Sequence, residues 1–306
     1  MKQVIYSIVT IIVFAQPAMA CDLCGCAASS QYMGLLPQQY KHFIGLQYQY
    51  ASFTADQPSV FDKDEIEHAD EYINTYQVWG RYSISNKVQL FAFIPYHQNR
   101  GTDMETPIKV DGIGDITVLA NVTLLKQDDC AKKMKYTLLA GGGIKAPTGA
   151  NKGITKLDEE GLPNVQAGTG AWDFITNANY TISRGKSGLN LDAAYTFTTT
   201  TKESYKYGNH LNSSLLYFYQ LQHKKLTLLP QGGLKYEYAL SDYDNYGRKW
   251  LNSNSGGSLV FAAAGVQAFY NHIGARLLYS IPFAQHYAGG NVTTHSRLET
   301  SIYFLF

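Results

Sequence analysis

Three of the four cysteines in this chain, Cys21, Cys24 and Cys26, fall in one short run, "ACDLCGCAASS" (20–30), and Cys130 stands alone further on. A C-x-x-C-x-C spacing lets three thiolates converge on one soft ion, and copper(I) and zinc are the ions such ligands prefer. An even number of thiols in an oxidising compartment favours a blander chemistry, two disulfides. Acylation of the Cys21 sulfur is a third possibility. Which applies depends on where the thiols reside and on what brings Cys130 to the other three.

The compartment is written in the first residues. "MKQVIYSIVTIIVFAQPAMA" sets basic Lys2 before an apolar run from Val4 to Phe14 and closes on Ala18-Met19-Ala20, the small-x-small pattern that precedes signal-peptidase cleavage. Residues 1–20 are therefore expected to be a secretory signal peptide and Cys21 the first mature residue. The residues before Cys21 lack the leucine and small-residue sequence usual ahead of an acylated cysteine, which favours ordinary cleavage over lipidation. No later stretch approaches the ~18 uninterrupted apolar residues that a spanning helix needs. Any membrane residence must come from strands.

Strands are what the rest of the chain offers. From residue 40 onwards side chains alternate with period 2, and no helical periodicity is sustained. In "LNLDAAYTFTTT" (189–200), Leu189, Leu191, Ala193, Tyr195 and Phe197 share one face while Asn190, Asp192, Ala194, Thr196 and Thr198 share the other. Twelve such segments, near 41–53, 70–84, 87–98, 112–126, 134–148, 170–183, 188–202, 208–222, 225–240, 256–270, 273–285 and 292–306, are mostly longer than the ~5–6 residues of a soluble strand and reach the ~9–11 of a tilted membrane strand. Short connections ("SISNK", "KQDDCAKK", "SRGKS", "QHKK", "YNHIG") alternate with long ones, among them "TADQPSVFDKDEIEHADE", "NRGTDMETPIKVD" and "GANKGITKLDEEGLPNVQAGTG". The fold class expected is all-β: a transmembrane, antiparallel up-and-down β-barrel of about twelve strands over residues 41–306, with residues 21–40 as a cysteine-containing head or plug.

Short turns in such barrels face the periplasm, and an even strand number puts both termini there, in the outer membrane of a Gram-negative bacterium. Cys130, in "KQDDCAKK", then shares a membrane face with the cysteine head. The expected partners are outer-membrane lipid, a small-molecule permeant and the barrel-assembly machinery, because terminal Phe306 resembles the aromatic signal that machinery reads. The abundant tyrosines suit the two membrane interfaces. A formal net charge of +1 provides no field to hold nucleic acid.

Parity also nominates the groups that line the lumen: Arg81, Lys145, Asp173, Asp192, Lys235, Glu237, Arg276, Arg297 and Glu299. Their mixed signs point to no charge preference, and they could either border a thin aqueous path or cross-link and nearly close it. An enzyme reading fails on the same parity. In "YGNHLNSSLLY", His210 and Ser213 are an odd number apart and face opposite ways, so a serine–histidine pair cannot form on one face.

Three stretches carry a family resemblance: "DGIGDITVLANVTLL" (111–125), "GGGIKAPTG" (141–149) and "GTGAWDFITNANYTIS" (168–183). They resemble the G-x-G-D, K-x-PTG and G-x-G-x-W-D signatures of the outer-membrane family named for the meta-cleavage pathway of phenol degradation, a relative of the long-chain fatty-acid transporters. The resemblance implies a passive channel for small, apolar or aromatic compounds. The cysteine head is not part of that family's general pattern and looks more like that of cysteine-headed barrels of Bacteroidota-type bacteria, so the phenol label is not carried over. Gly112, Gly114, Gly141, Gly142, Gly143 and Gly149 read as barrel corners and Pro147 as a strand end. A diffusion channel is the expected function; the alternative is a barrel that serves mainly as scaffold for a periplasmic copper or zinc site.

Overall fold

Period-2 alternation over segments this long leaves each strand with one apolar and one polar face, and closing the sheet decides which faces inward. The computed structural model describes residues 42–58, 66–103, 106–129, 133–150, 166–202, 205–244, 248–251 and 255–306. Twelve antiparallel strands form the wall: β1 (Phe43–Pro58), β2 (Ile66–Ser83), β3 (Val88–Asp103), β4 (Thr106–Ile113 and, after a break, Ile116–Asp129), β5 (Met134–Ala146), β6 (Asp173–Arg184), β7 (Ser187–Thr198), β8 (His210–Tyr219 and Leu221–His223), β9 (Leu226–Ala239), β10 (Gly257–Tyr270), β11 (Ile273–Tyr287) and β12 (Val292–Thr294 and Arg297–Leu305). Each pairs with the next, and β12 pairs with β1, Leu305 opposite Phe43 and Thr294 opposite Phe53. Closure removes every open edge, the condition for a sheet to stand in lipid.

Stepping from partner to partner round the wall, from Phe43 through Arg81, Leu119, Ile175 and Tyr287, returns to Ala55, twelve residues further along β1. That stagger tilts the strands and decides which inward residues meet.

Faces are inverted relative to a soluble sandwich. On β7, Leu189, Leu191 and Phe197 are 42–46% exposed, while Asn190, Asp192, Thr196 and Thr198 are buried. On β12, Ile302, Phe304 and terminal Phe306 point out, and Arg297, Glu299, Ser301 and Tyr303 point in. An apolar belt that includes Leu46, Val78, Ile94, Leu234 and Ile281 circles the outside, with exposed Tyr82, Tyr217, Tyr219 and Tyr270 toward the turns. Lipid is the solvent such a surface fits.

The two ends differ in their connections. Short turns close β2–β3, β6–β7, β8–β9 and β10–β11, with Gly185 (φ 59°) and Asn271 (φ 51°) in the left-handed conformation that tight hairpins use. His42 and Phe306 exchange backbone hydrogen bonds at this turn end. At the other end two connections that read as long loops are largely strand. "NRGTDMETPIKVD" runs through β3 to Asp103 and re-enters at Thr106 on β4, and β1 and β2 likewise extend to Pro58 and from Ile66. Ladder hydrogen bonds continue wherever a paired neighbour exists, even beyond the apolar belt. Tyr205–Lys206, Tyr243–Asp244 and Lys249–Trp250 form a three-stranded sheet in the loops above β7–β10. The signal sequence, the head at 21–40 and all four cysteines lie outside the described residues.

Candidate functional site: the barrel interior

Inward parity delivers polar side chains to a closed space, where each must find a partner or water. The nine charged residues nominated above are all buried, at 1–8% exposure. Five of them meet in a belt contributed by β9, β11 and β12. Glu299 accepts from Lys235 and, at 3.1 Å, from Arg276. Glu237 accepts from Arg297 Nη1 with both oxygens, at 2.7 and 2.9 Å. The Arg297 guanidinium lies over the rings of Phe261 (4.3 Å) and Phe53 (5.5 Å). Arg81 stands apart from this belt, its guanidinium 5.3 Å from the Phe43 ring. Asp192 is bonded by Asn179 Nδ2 at 2.7 Å, and Asn190 in turn reaches Asn179 Oδ1 and Thr181 Oγ1.

Lys145 and Asp173 join a second assembly, where the three motifs converge. Lys145 Nζ is 2.5 Å from Asp173 and 3.9 Å from Asp115. Asp115, at the break in β4, accepts hydrogen bonds from the backbone of Gly149 (2.9 Å) and Thr169 (2.8 Å) and from the Thr169 hydroxyl (2.7 Å). Thr148 spans the same break, its hydroxyl accepting from the Ile116 N–H at 2.9 Å and donating to the Gly114 carbonyl at 3.2 Å. Gly149 and Gly168 touch so closely that a Cβ on either would lie 2.7 Å from the other's Cα. The glycines admit the backbones, and Asp115 ties them. Parity missed Asp115 because it sits where the strand breaks; its motif position, after G-x-G, was the available signal. Asp115→Ala removes three hydrogen bonds to a carboxylate, each of order 1.5–3 kcal/mol. Trypsin should then cleave the 150–166 connection, at Lys152 or Lys156, faster than in the parent barrel; an unchanged cleavage rate would show that Asp115 does not hold this connection.

Apolar side chains fill the rest of the interior. Phe43, Trp79, Phe91, Phe93, Leu119, Leu139, Ile175, Tyr303 and Leu305 form one cluster, joined by Ala194 and Phe269. Its buried members come from β12 and from β1 to β6, neighbours round the wall, so it lines more than half of the inner circumference. Trp79 stacks on Phe93 at 6.0 Å and 11°, and its edge meets Phe43 at 4.6 Å. Amide groups complete the lining. Both side-chain polar atoms of Asn121, Asn177 and Gln231 are buried with no protein hydrogen bond among the described residues.

His210 is buried, its ring nitrogen 3.3 Å from the Gly208 carbonyl. His42 and His272 flank the terminal phenylalanine pair at the turn end, with ring centroids 5.5 Å from Phe306 and 5.9 Å from Phe304 respectively.

No family model matches the chain, and no curated protein matches its sequence. Among solved structures it is similar to the COG4313 outer membrane channel from Pseudomonas putida F1, with TM-score 0.62 and 14% identity over 89% of this chain and 100% of that one. The chain has the fold of an outer-membrane β-barrel. The transport unit of the autotransporter AIDA-I from Escherichia coli (TM-score 0.49, 8% identity, 92% of this chain and 96% of that one) and the CymD monoaromatic hydrocarbon channel (TM-score 0.37, 10% identity, 88% and 89%) share strand architecture at a level that supports nothing finer.

Proposed function

We propose that this barrel is an outer-membrane channel through which small solutes diffuse, with its turn end in the periplasm. The observation that supports it most is the inversion of faces: an apolar belt outside, and inside a polar wall that includes Asn121, Asn177 and Gln231, whose amide groups have no protein partner among the described residues. The fold shared with a bacterial outer membrane channel is consistent with that reading. Solutes that pass must displace or slip by the aromatic cluster round Trp79 and Phe93, which favours small compounds with an apolar surface. Residues 21–40 are the natural cover for the turn end, because Met33, Leu35 and Leu36 are too apolar to stand free in water and too few to fold alone. Cys21, Cys24 and Cys26 would then lie beside the turn that holds Cys130.

Planar-bilayer recording and liposome swelling with purified protein test the channel. Permeability to no small solute, with the barrel intact, would leave it a structural or scaffold protein. Deleting residues 21–36 should raise single-channel conductance, and Cys130→Ser should change the thiol count or the copper and zinc content of protein isolated anaerobically. Unchanged conductance and unchanged thiol and metal content would remove the head from both roles.

A further inference from the structure

Arg297 carries donors that the protein does not meet. Its Nη1 bonds both oxygens of Glu237, whereas its Nε and Nη2 have no hydrogen-bond partner among the described residues. The side chain is 6% exposed, so this charged edge is held away from bulk water, where an unmet N–H group is costly. Phe261 and Phe53 lie against the guanidinium. Arg297 also lines a small cavity, which it shares with Gln49 and Ala51 of β1, Ile73 and Thr75 of β2, Lys235 of β9 and Glu299 of β12. Glu71, the buried carboxylate opposite Phe53, does not reach it. The cavity measures about 10 Å³, the room that one water molecule needs and too little for any larger ligand.

We infer that this cavity is the binding site of a single buried water that takes up the free edge of Arg297. Water is the occupant whose chemistry fits, because it accepts and donates at once. The lining offers donors in Arg297 and Lys235, and acceptors in the Glu299 carboxylate, the Gln49 amide and the Thr75 hydroxyl. A halide accepts only and would lie against Glu299; a metal or ammonium cation would lie against Arg297 and Lys235. The ion pairs join β9, β11 and β12, and the water carries that belt over to β1 and β2, across the seam where the last strand meets the first. Between the belt and that part of the wall there is then room for water and for no solute, so any solute path lies elsewhere in the lumen. The site stands whether or not the barrel conducts.

Crystals of the full-length barrel grown from sodium bromide test the site directly. They should show one light scatterer within hydrogen-bonding distance of Arg297 Nε or Nη2, without the anomalous signal of bromide. In detergent micelles, with isotope-labelled arginine, the Arg297 Nε–H should receive dipolar magnetisation transfer from a water that stays bound, distinguished by its sign from hydrogen exchange. Ala51→Val adds side-chain volume to the cavity wall, and should abolish that transfer and lower the temperature at which heat-modifiable mobility changes. An anomalous peak at the site, a protein group such as Glu71 bonded to the free edge, or no density beside it would overturn the inference, as would transfer that persists in a folded Ala51→Val. Should that variant fail to fold, the crystals of the parent barrel decide.

Discussion

Replacing Glu299 by glutamine is expected to cost the barrel on the order of 3–5 kcal/mol, because it removes one carboxylate from a buried belt and leaves its charges badly out of balance. Lys235 and Arg276 share Glu299, and the three side chains are 5–9% exposed. With the carboxylate gone, Lys235 and Arg276 lose the acceptor they share, while Arg297 keeps Glu237. Like charges in a low-dielectric interior then repel with little screening. The measurement is the unfolding transition in detergent, followed by heat-modifiable mobility. Lys235→Gln combined with Glu299→Gln removes one charge of each sign from the same pair, so the double variant should be more stable than the two single losses sum to. Strict additivity would show that the belt is not an electrostatic cross-link between β9, β11 and β12.

Trp79→Ala and Phe93→Ala should each lower stability by about 3–5 kcal/mol, the usual cost of an aromatic-sized cavity, and should also raise single-channel conductance. The two effects share one cause. Trp79 and Phe93 are stacked and buried within a cluster on the inner face of the wall, so the volume that packing loses is volume a solute gains. Phe174→Ala, an outward change on β6, is the control: Phe174 is 52% exposed and touches the lipid side of the wall. It should leave conductance unaltered. Loss of stability without any change in conductance for either interior variant would reduce the cluster to packing alone and place the solute path elsewhere.

Both expectations depend on contacts that join distant parts of the chain, and here local pattern and tertiary arrangement part company. Alternation is a local property. A strand's successive side chains point to opposite faces, so "LNLDAAYTFTTT" by itself separates Leu189, Leu191 and Phe197 from Asn190, Asp192 and Thr196, and segment length with loop asymmetry is enough to choose a twelve-stranded membrane barrel over a soluble sandwich. The same locality explains the misjudged connections. Residues 99–111 carry turn-forming types and read as a loop, yet they extend β3 and β4 because each supplies the other with a ladder partner, Arg100 opposite Lys109 and Gly101 opposite Ile108.

Composition and alternation therefore determine that this chain closes into a barrel with polar groups inside. Which inner groups meet is decided only by closure and stagger. Lys235 and Glu299 lie 64 residues apart, and Arg297 and Glu237 lie 60 apart; they touch because β12 turns back beside β11 and across from β9 at one particular register. Three motifs that read separately as strand corners become one knot on Asp115 for the same reason. A two-residue shift in stagger would keep the strands and the residues that face inward but change which inner groups meet, and no local pattern records that choice.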